Sequence, residues 1–362
     1  MKIFSKVIFL STLFLSVSCL KEDDGIILVA PVEGDVLEAE VGGPAQPYQV
    51  WIDLSTGEMK KTIRTGWDLG FCTGDEFAVI LNTGAVMSAT EIEGVTELSQ
   101  VSSQSVSGLM QSVQVGTFDA DNLQYVDDVK GNYLENGTVI KEPGRIYLIN
   151  MGFNIYEGTF ISGTAYPIGT ARGWKKIKVT EEGNGYKLEY ADLDQAQPQE
   201  AFIPKDAQYN FTFFSMITDE IKDIQPPKTE WDLCFTVFVN EVTDNNGNSQ
   251  GSYIFSDFVM TNTMANTGAY EVITGSSTLP EDFSSFGSSD VDASEFIYND
   301  HRAIGDHWRQ IPGAIVKNDR FYVLKDPNGI LFKIKFISMT QQDPNNSDLI
   351  LRGHPVFEYE PL

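Results

Sequence analysis

The chain has 362 residues, 42% of them hydrophobic, and carries 51 Asp and Glu against 25 Lys and Arg, a formal net charge of −26. So acidic a surface repels nucleic-acid phosphates, which excludes DNA or RNA binding. Three scattered cysteines and three scattered histidines exclude a zinc-finger spacing, and no GxSxG, HExxH or paired-carboxylate motif marks a catalytic acid, base or nucleophile.

Residues 1–18 read as an export signal. Lys2 and Lys6 supply the positive start, and Val7–Val17 supplies an apolar run too short for a bilayer span, which takes about 20 residues. Leu15-Ser16-Val17-Ser18 leads directly into Cys19, an arrangement that resembles the bacterial lipobox and makes Cys19 the expected lipidation site. The following Lys21-Glu22-Asp23-Asp24 resembles the acidic tag of surface lipoproteins in Bacteroidetes. The expectation is a chain held by acyl groups on the outer face of the outer membrane. Residues 19–46 then read as tether and Pro/Gly-rich linker.

Two related units follow, expected at 47–200 and 201–362, with Gln195–Pro204 as connector. The run Thr65–Gly74, TGWDLGFCTG, returns as Glu230–Phe238, EWDLCFTVF, with the tryptophans 164 residues apart at 67 and 231. In each copy the apolar residues alternate with the strand period, so Trp67, Leu69 and Phe71 share a face, as do Trp231, Leu233 and Phe235. Asp68 and Asp232 point the other way and read as structural. Tyr48–Met59 leads into the first copy and Tyr209–Ile221 into the second. Downstream, Gly144–Met151 is matched by Asp319–Lys325, Lys176–Val179 by Lys333–Phe336, and Leu188–Tyr190 by Phe357–Tyr359. Cys72 and Cys234 fall on these strands, either as a disulfide between units or as two buried thiols.

The turns are explicit. Asp244–Gly247 and Asp326–Gly329 each separate two strand-like runs and read as hairpins, with Asn-Gly supplying positive φ. Ser99–Ser112 reads as loop or weak helix, Gly275–Ala293 as loop, and helical period is confined to a turn or two within 293–300 and 304–310. The fold class is mostly β: two related antiparallel units with few short helices.

Three stretches of the second unit, Glu230–Leu233, Glu271–Gly275 and Arg320–Ile330, are similar to the HmuY family of haem-binding outer-membrane lipoproteins. The first unit shares the WDL strand and the later aromatic strand. The resemblance implies a hand-shaped β fold that grips one haem and passes it to a TonB-dependent outer-membrane receptor, with a pair of His residues as axial ligands in some members and Met in others. One family ligand lies shortly before the aromatic strand, where His307 stands. The other lies about a dozen residues before Glu271, where this chain has Met260 and Met264 and no histidine. Imidazole and thioether are both good axial ligands to haem iron. Phe255, Phe258, Tyr270 and Trp308 are expected as walls, and Arg302 and Arg309 as partners for the propionates. His301 sits in a polar turn region where surface histidines are ordinary, and His354 reads as structural. The first unit has no histidine. The alternative is a lipoprotein of the same fold that binds glycan or a protein partner and no haem.

Overall fold

Trp67, Leu69 and Phe71 alternate with Asp68 and Gly70 in extended backbone, and the second copy does the same with Trp231, Leu233 and Phe235. In the computed structural model, which describes residues 33–275 and 282–362, these runs become the strands Leu69–Cys72 and Leu233–Thr243. The export segment, Cys19 and its acidic tether lie outside the described residues. The molecule is mostly β and its paired strands are antiparallel, as the alternation and the turns require. Among the described residues no helix is long and apolar enough to cross a membrane.

The sheets come in matched pairs. A five-stranded sheet runs Gln199–Pro204, Gly185–Asp192, Trp174–Glu182, Ile146–Asn150, Ser88–Glu91. Its counterpart runs Asp35–Glu38, Asn346–Pro361, Leu331–Asp343, Arg320–Lys325, Gly268–Ile273. A four-stranded sheet runs Glu220–Lys222, Phe211–Ser215, Leu69–Cys72, Val79–Leu81. Its counterpart runs Met59–Ile63, Tyr48–Ile52, Leu233–Thr243, Ser249–Thr261.

The leading strands are exchanged between the halves. Phe211–Ser215 pairs with the first tryptophan strand, Phe214 opposite Leu69. Tyr48–Ile52 pairs with the second, Ile52 opposite Leu233. Gln199–Pro204 closes the first half's sheet against Gly185–Asp192, and Asp35–Glu38 closes the second half's sheet against Asn346–Pro361. A cut at residue 200 therefore passes through a strand belonging to the first half's sheet, and residues 33–362 form one compact unit.

The same polar fixtures hold both halves. Asn82 Nδ2 donates to the carbonyls of Arg64 and Trp67, and Asn262 Nδ2 donates to those of Lys228 and Trp231. Each asparagine opens a short 3-10 turn, Thr83–Ala85 or Thr263–Ala265, that ends on a left-handed residue, Val86 or Asn266. Lys176 Nζ donates to Val101 and Leu193 carbonyls, and Lys333 Nζ to those of Phe283 and Phe286. Buried ammonium groups are tolerated here because loop carbonyls satisfy them.

The hairpins stand where the turn residues put them. Leu233–Thr243 pairs with Ser249–Thr261, and Arg320–Lys325 with Leu331–Asp343. Ser107–Ser112 is helical. The stretches 293–300 and 304–310 form turns, and Arg309–Gln310 pairs as a short strand with Ile315–Val316. Between the two tryptophan strands lies a core shared by both halves, with Trp51 edge-on to Trp231 at 4.8 Å and Trp67 edge-on to Phe213 at 4.6 Å. Cys72 and Cys234 both belong to it as free, buried thiols, so no disulfide joins them.

Candidate functional site

Two cavities share the residues that the sequence singles out. The first is a small pocket of about 70 Å3 in the shared core. Trp51, Trp67 and Trp231 wall it, and Met260, Met264 and His301 also line it. Met260 stands near the end of Ser249–Thr261 and Met264 in the 3-10 turn just beyond, so Asn262, hydrogen-bonded between them, fixes both positions.

His301 is buried, where a surface histidine was expected. Its amide donates to the Lys130 carbonyl and its Nε2 lies 2.9 Å from the Val129 carbonyl oxygen. A carbonyl only accepts, so Nε2 carries the proton and Nδ1 keeps its lone pair. Burial pushes the imidazole down to about 4, so the ring is neutral at neutral pH. Tyr133 and Phe238 stand edge-on to it at 6.0 and 5.3 Å. A turn rich in charge gave no sequence signal of this burial, because the segment covering His301 comes from residues 129–133.

The second cavity is an open cleft of about 530 Å3. Its walls are Phe118, Tyr253, Phe255 and Ile311, with Phe118 and Tyr253 rings 5.3 Å apart and Tyr253 and Phe255 rings 5.3 Å apart. Three cations line it: Arg309, Lys317 and Arg352. Both guanidiniums are buried and under-bonded. Arg309 Nη2 donates to the Ser256 carbonyl while its Nε has no partner. Arg352 Nη2 bonds Asp257 Oδ2 at 2.6 Å, and its Nε is likewise unpartnered. Burial pulls the Arg309 pKa down, with Asp257 and Asp306 opposing that shift. Asp257 also accepts from Gln46 Nε2. Two neighbouring guanidiniums and Lys317, with Asp306 beside them, suit this end of the cleft to anionic oxygen.

Three of the five expected site residues line these cavities, and His307 and Arg302 line neither. Met260 and Met264 face the small core pocket and not the cleft. Ser256, at the cleft, precedes Met260 by four residues, roughly 13 Å along an extended strand. Arg309 lines the cleft. His307 is exposed and lines neither cavity, but it lies in the turn between two cleft-lining residues, Asp306 and Arg309. Arg302 is not free for a ligand: Asp300 takes its Nε and Nη2 and Asn240 takes its Nη1. Of the expected walls, Phe255 alone lines the cleft. Trp308 stacks on Phe336 at 4.2 Å, Phe258 stacks on Phe238 at 4.4 Å, and Tyr270 packs edge-on to Phe296, so all three are committed elsewhere in the core. His354 pairs with Glu38 at 2.8 Å. Sequence reasoning missed Arg352, Lys317, Phe118 and Tyr253, which reach the cleft from separate elements and share no motif.

For a haem, size and charge fit the cleft. The volume is in the range of pockets that hold organic ligands, about 300–1,000 Å3. Aromatic walls and three cations suit a ring with carboxylates, but neither Met, Cys nor His lines it. The smaller pocket has the soft donors and, at about 70 Å3, no room for a macrocycle. Among the described residues no group of three or more His, Cys, Asp and Glu is arranged to hold a metal ion. A family model described as HmuY protein matches residues 45–359, running through both halves. No curated protein and no solved structure matches the chain.

Proposed function

The chain belongs to the HmuY family, and from that membership we propose that it binds haem in the open cleft. The observation that carries this reading is the pairing of a 530 Å3 aromatic-walled space with two under-bonded buried guanidiniums. Phe118, Tyr253 and Phe255 would hold the flat ring, and Arg309, Lys317 and Arg352 would hold the propionates. Haem iron takes an axial imidazole when one is offered, and His307, in the turn at this cleft, is the nearest candidate on chain position. The local cations offset a net charge of −26 that would otherwise repel an anionic ligand. Met260, Met264 and Arg302 take no part in this arrangement.

We propose also that the protein is exported, anchored through Cys19 at the cell surface, and passes haem to a TonB-dependent receptor. The support for this is the sequence of residues 1–24 and the family. Cys19→Ala tests the anchor: the variant should leave the membrane fraction and lose labelling on intact cells.

Titration with haemin and with metal-free protoporphyrin IX tests the site. Haemin should give a shifted Soret band, weakened by Arg309→Gln and by Phe255→Ala, and His307→Ala should change the band position. Equal binding of the metal-free ring, with no effect of His307→Ala, would remove iron ligation and leave a site for the ring and its carboxylates. No Soret change with haemin would sink the haem reading and favour a glycan or protein partner.

A further inference from the structure

The small core pocket is unused by this reading, and its chemistry is specific. We propose that it is a site for a soft monovalent metal ion, Cu(I) or Ag(I), held by the thioethers of Met260 and Met264 and by Nδ1 of His301. Size comes first. About 70 Å3 accommodates an ion with a few waters, since roughly 10–15 Å3 of such space holds one water, and it is far below the roughly 300 Å3 at which organic-ligand pockets begin.

Donor type comes second. Thioethers are soft ligands that select Cu(I), whereas Mg, Ca and Mn favour carboxylate and carbonyl oxygen. No charged side chain lines the pocket, so nothing there compensates a divalent ion. A single positive charge is the less costly to bury.

Third, the imidazole is prepared for a metal. The Val129 carbonyl holds the Nε2 proton, the outer contact that orients a ligating histidine and leaves Nδ1 free. Gly131 borders Nδ1 and must be glycine there: a Cβ at this position, where φ is +86°, would lie 2.6 Å from Nδ1.

The internal repeat supplies the argument against mere packing. Asn82 and Asn262 are equivalent by their hydrogen bonds, which makes Ile80 the counterpart of Met260 and Gly84 the counterpart of Met264. The first half builds the same strand end and turn without sulfur. The fold therefore does not require methionine at either position, yet the half that contains His301 has both.

Silver(I) in chloride-free buffer is the probe, because it is redox-inert and mimics Cu(I). Thiolates would compete, so Cys19, Cys72 and Cys234 are first replaced by Ala. One equivalent of Ag(I) should quench tryptophan fluorescence and raise Tm. Met260→Leu and Met264→Leu, which keep shape, should each weaken binding by about tenfold or more. His307→Ala should leave it unchanged, which separates this site from the haem cleft. Undiminished affinity in the double Met→Leu variant, or no binding in the cysteine-free chain, overturns the proposal. If the cysteine-free chain fails to fold, X-ray absorption on the silver-loaded wild type decides. Sulfur scattering that falls in Met260→Leu/Met264→Leu supports the site, and unchanged thiolate-only scattering refutes it.

Discussion

Asp68 and Asp232 make the same hydrogen bond in opposite directions across the molecule. Asp68 Oδ2 accepts from the Met216 amide at 2.7 Å, and Asp232 Oδ2 accepts from the Leu54 amide at 2.8 Å. Each carboxylate thus pins the end of the leading strand that comes from the other half. The two differ in their surroundings. Arg172 Nη2 lies 2.6 Å from Asp68 Oδ1, with both side chains nearly fully buried. Among the described residues no cation pairs with Asp232, and burial, reinforced by Asp53 and Asp326, pushes its pKa up to about 8.

Removal of the Arg172 guanidinium leaves a buried carboxylate without its charge partner. Arg172→Met should therefore lower unfolding free energy by about 3–5 kcal/mol. Asp68→Asn in the same chain should restore part of the loss. Urea unfolding of the wild type and these two variants measures both, and an unchanged midpoint in Arg172→Met would contradict the pairing.

Asp127 shares the behaviour of Asp232. It accepts from the Leu81 and Val139 amides, and burial raises its pKa to about 7. Both groups are held above the ordinary carboxylate value near 4. The folded chain therefore keeps protons that the unfolded chain has released, and stability falls as pH rises through about 7 and about 8. Tm should decline between about pH 5 and about pH 9, and Asp127→Asn with Asp232→Asn should flatten the slope. A slope equal to that of wild type would count against these assignments.

The exchange of leading strands predicts where damage is felt. Trp51 belongs to the first half in sequence but pairs with Cys234 and packs on Trp231. Trp51→Ala should cost about 3–5 kcal/mol. Amide exchange should accelerate first in Leu233–Thr243 rather than in Leu69–Cys72. The reverse order would argue against the exchanged pairing.

The two cleft arginines should separate by role. Arg352 balances the buried charge of Asp257 through a 2.6 Å contact, so Arg352→Gln should lower stability by about 3–5 kcal/mol. Arg309 makes one hydrogen bond, to a backbone carbonyl, and Arg309→Gln should cost no more than about 1.5 kcal/mol while weakening haemin binding. Paired denaturation and Soret titrations distinguish the two.

Local chemistry alone determined the strands, the Asp-Pro-Asn-Gly and Asp-Asn-Asn-Gly hairpins, the duplicated order of elements and the family. Alternation and turn preference are properties of neighbouring residues, so they are written within a few positions of each other. What the sequence could not address is partnership between distant segments. Main-chain hydrogen bonds are the same for any two strands, so nothing in Tyr48–Ile52 names Leu233–Thr243 as its neighbour rather than Leu69–Cys72. Burial of the shared tryptophan core made that choice. The same physics buried His301 beneath residues 129–133, left His307 in water, turned Met260 away from the cleft and brought Arg352 to Arg309 from the last strand. Each of these depends on which surfaces close over which, and only the packed molecule decides it.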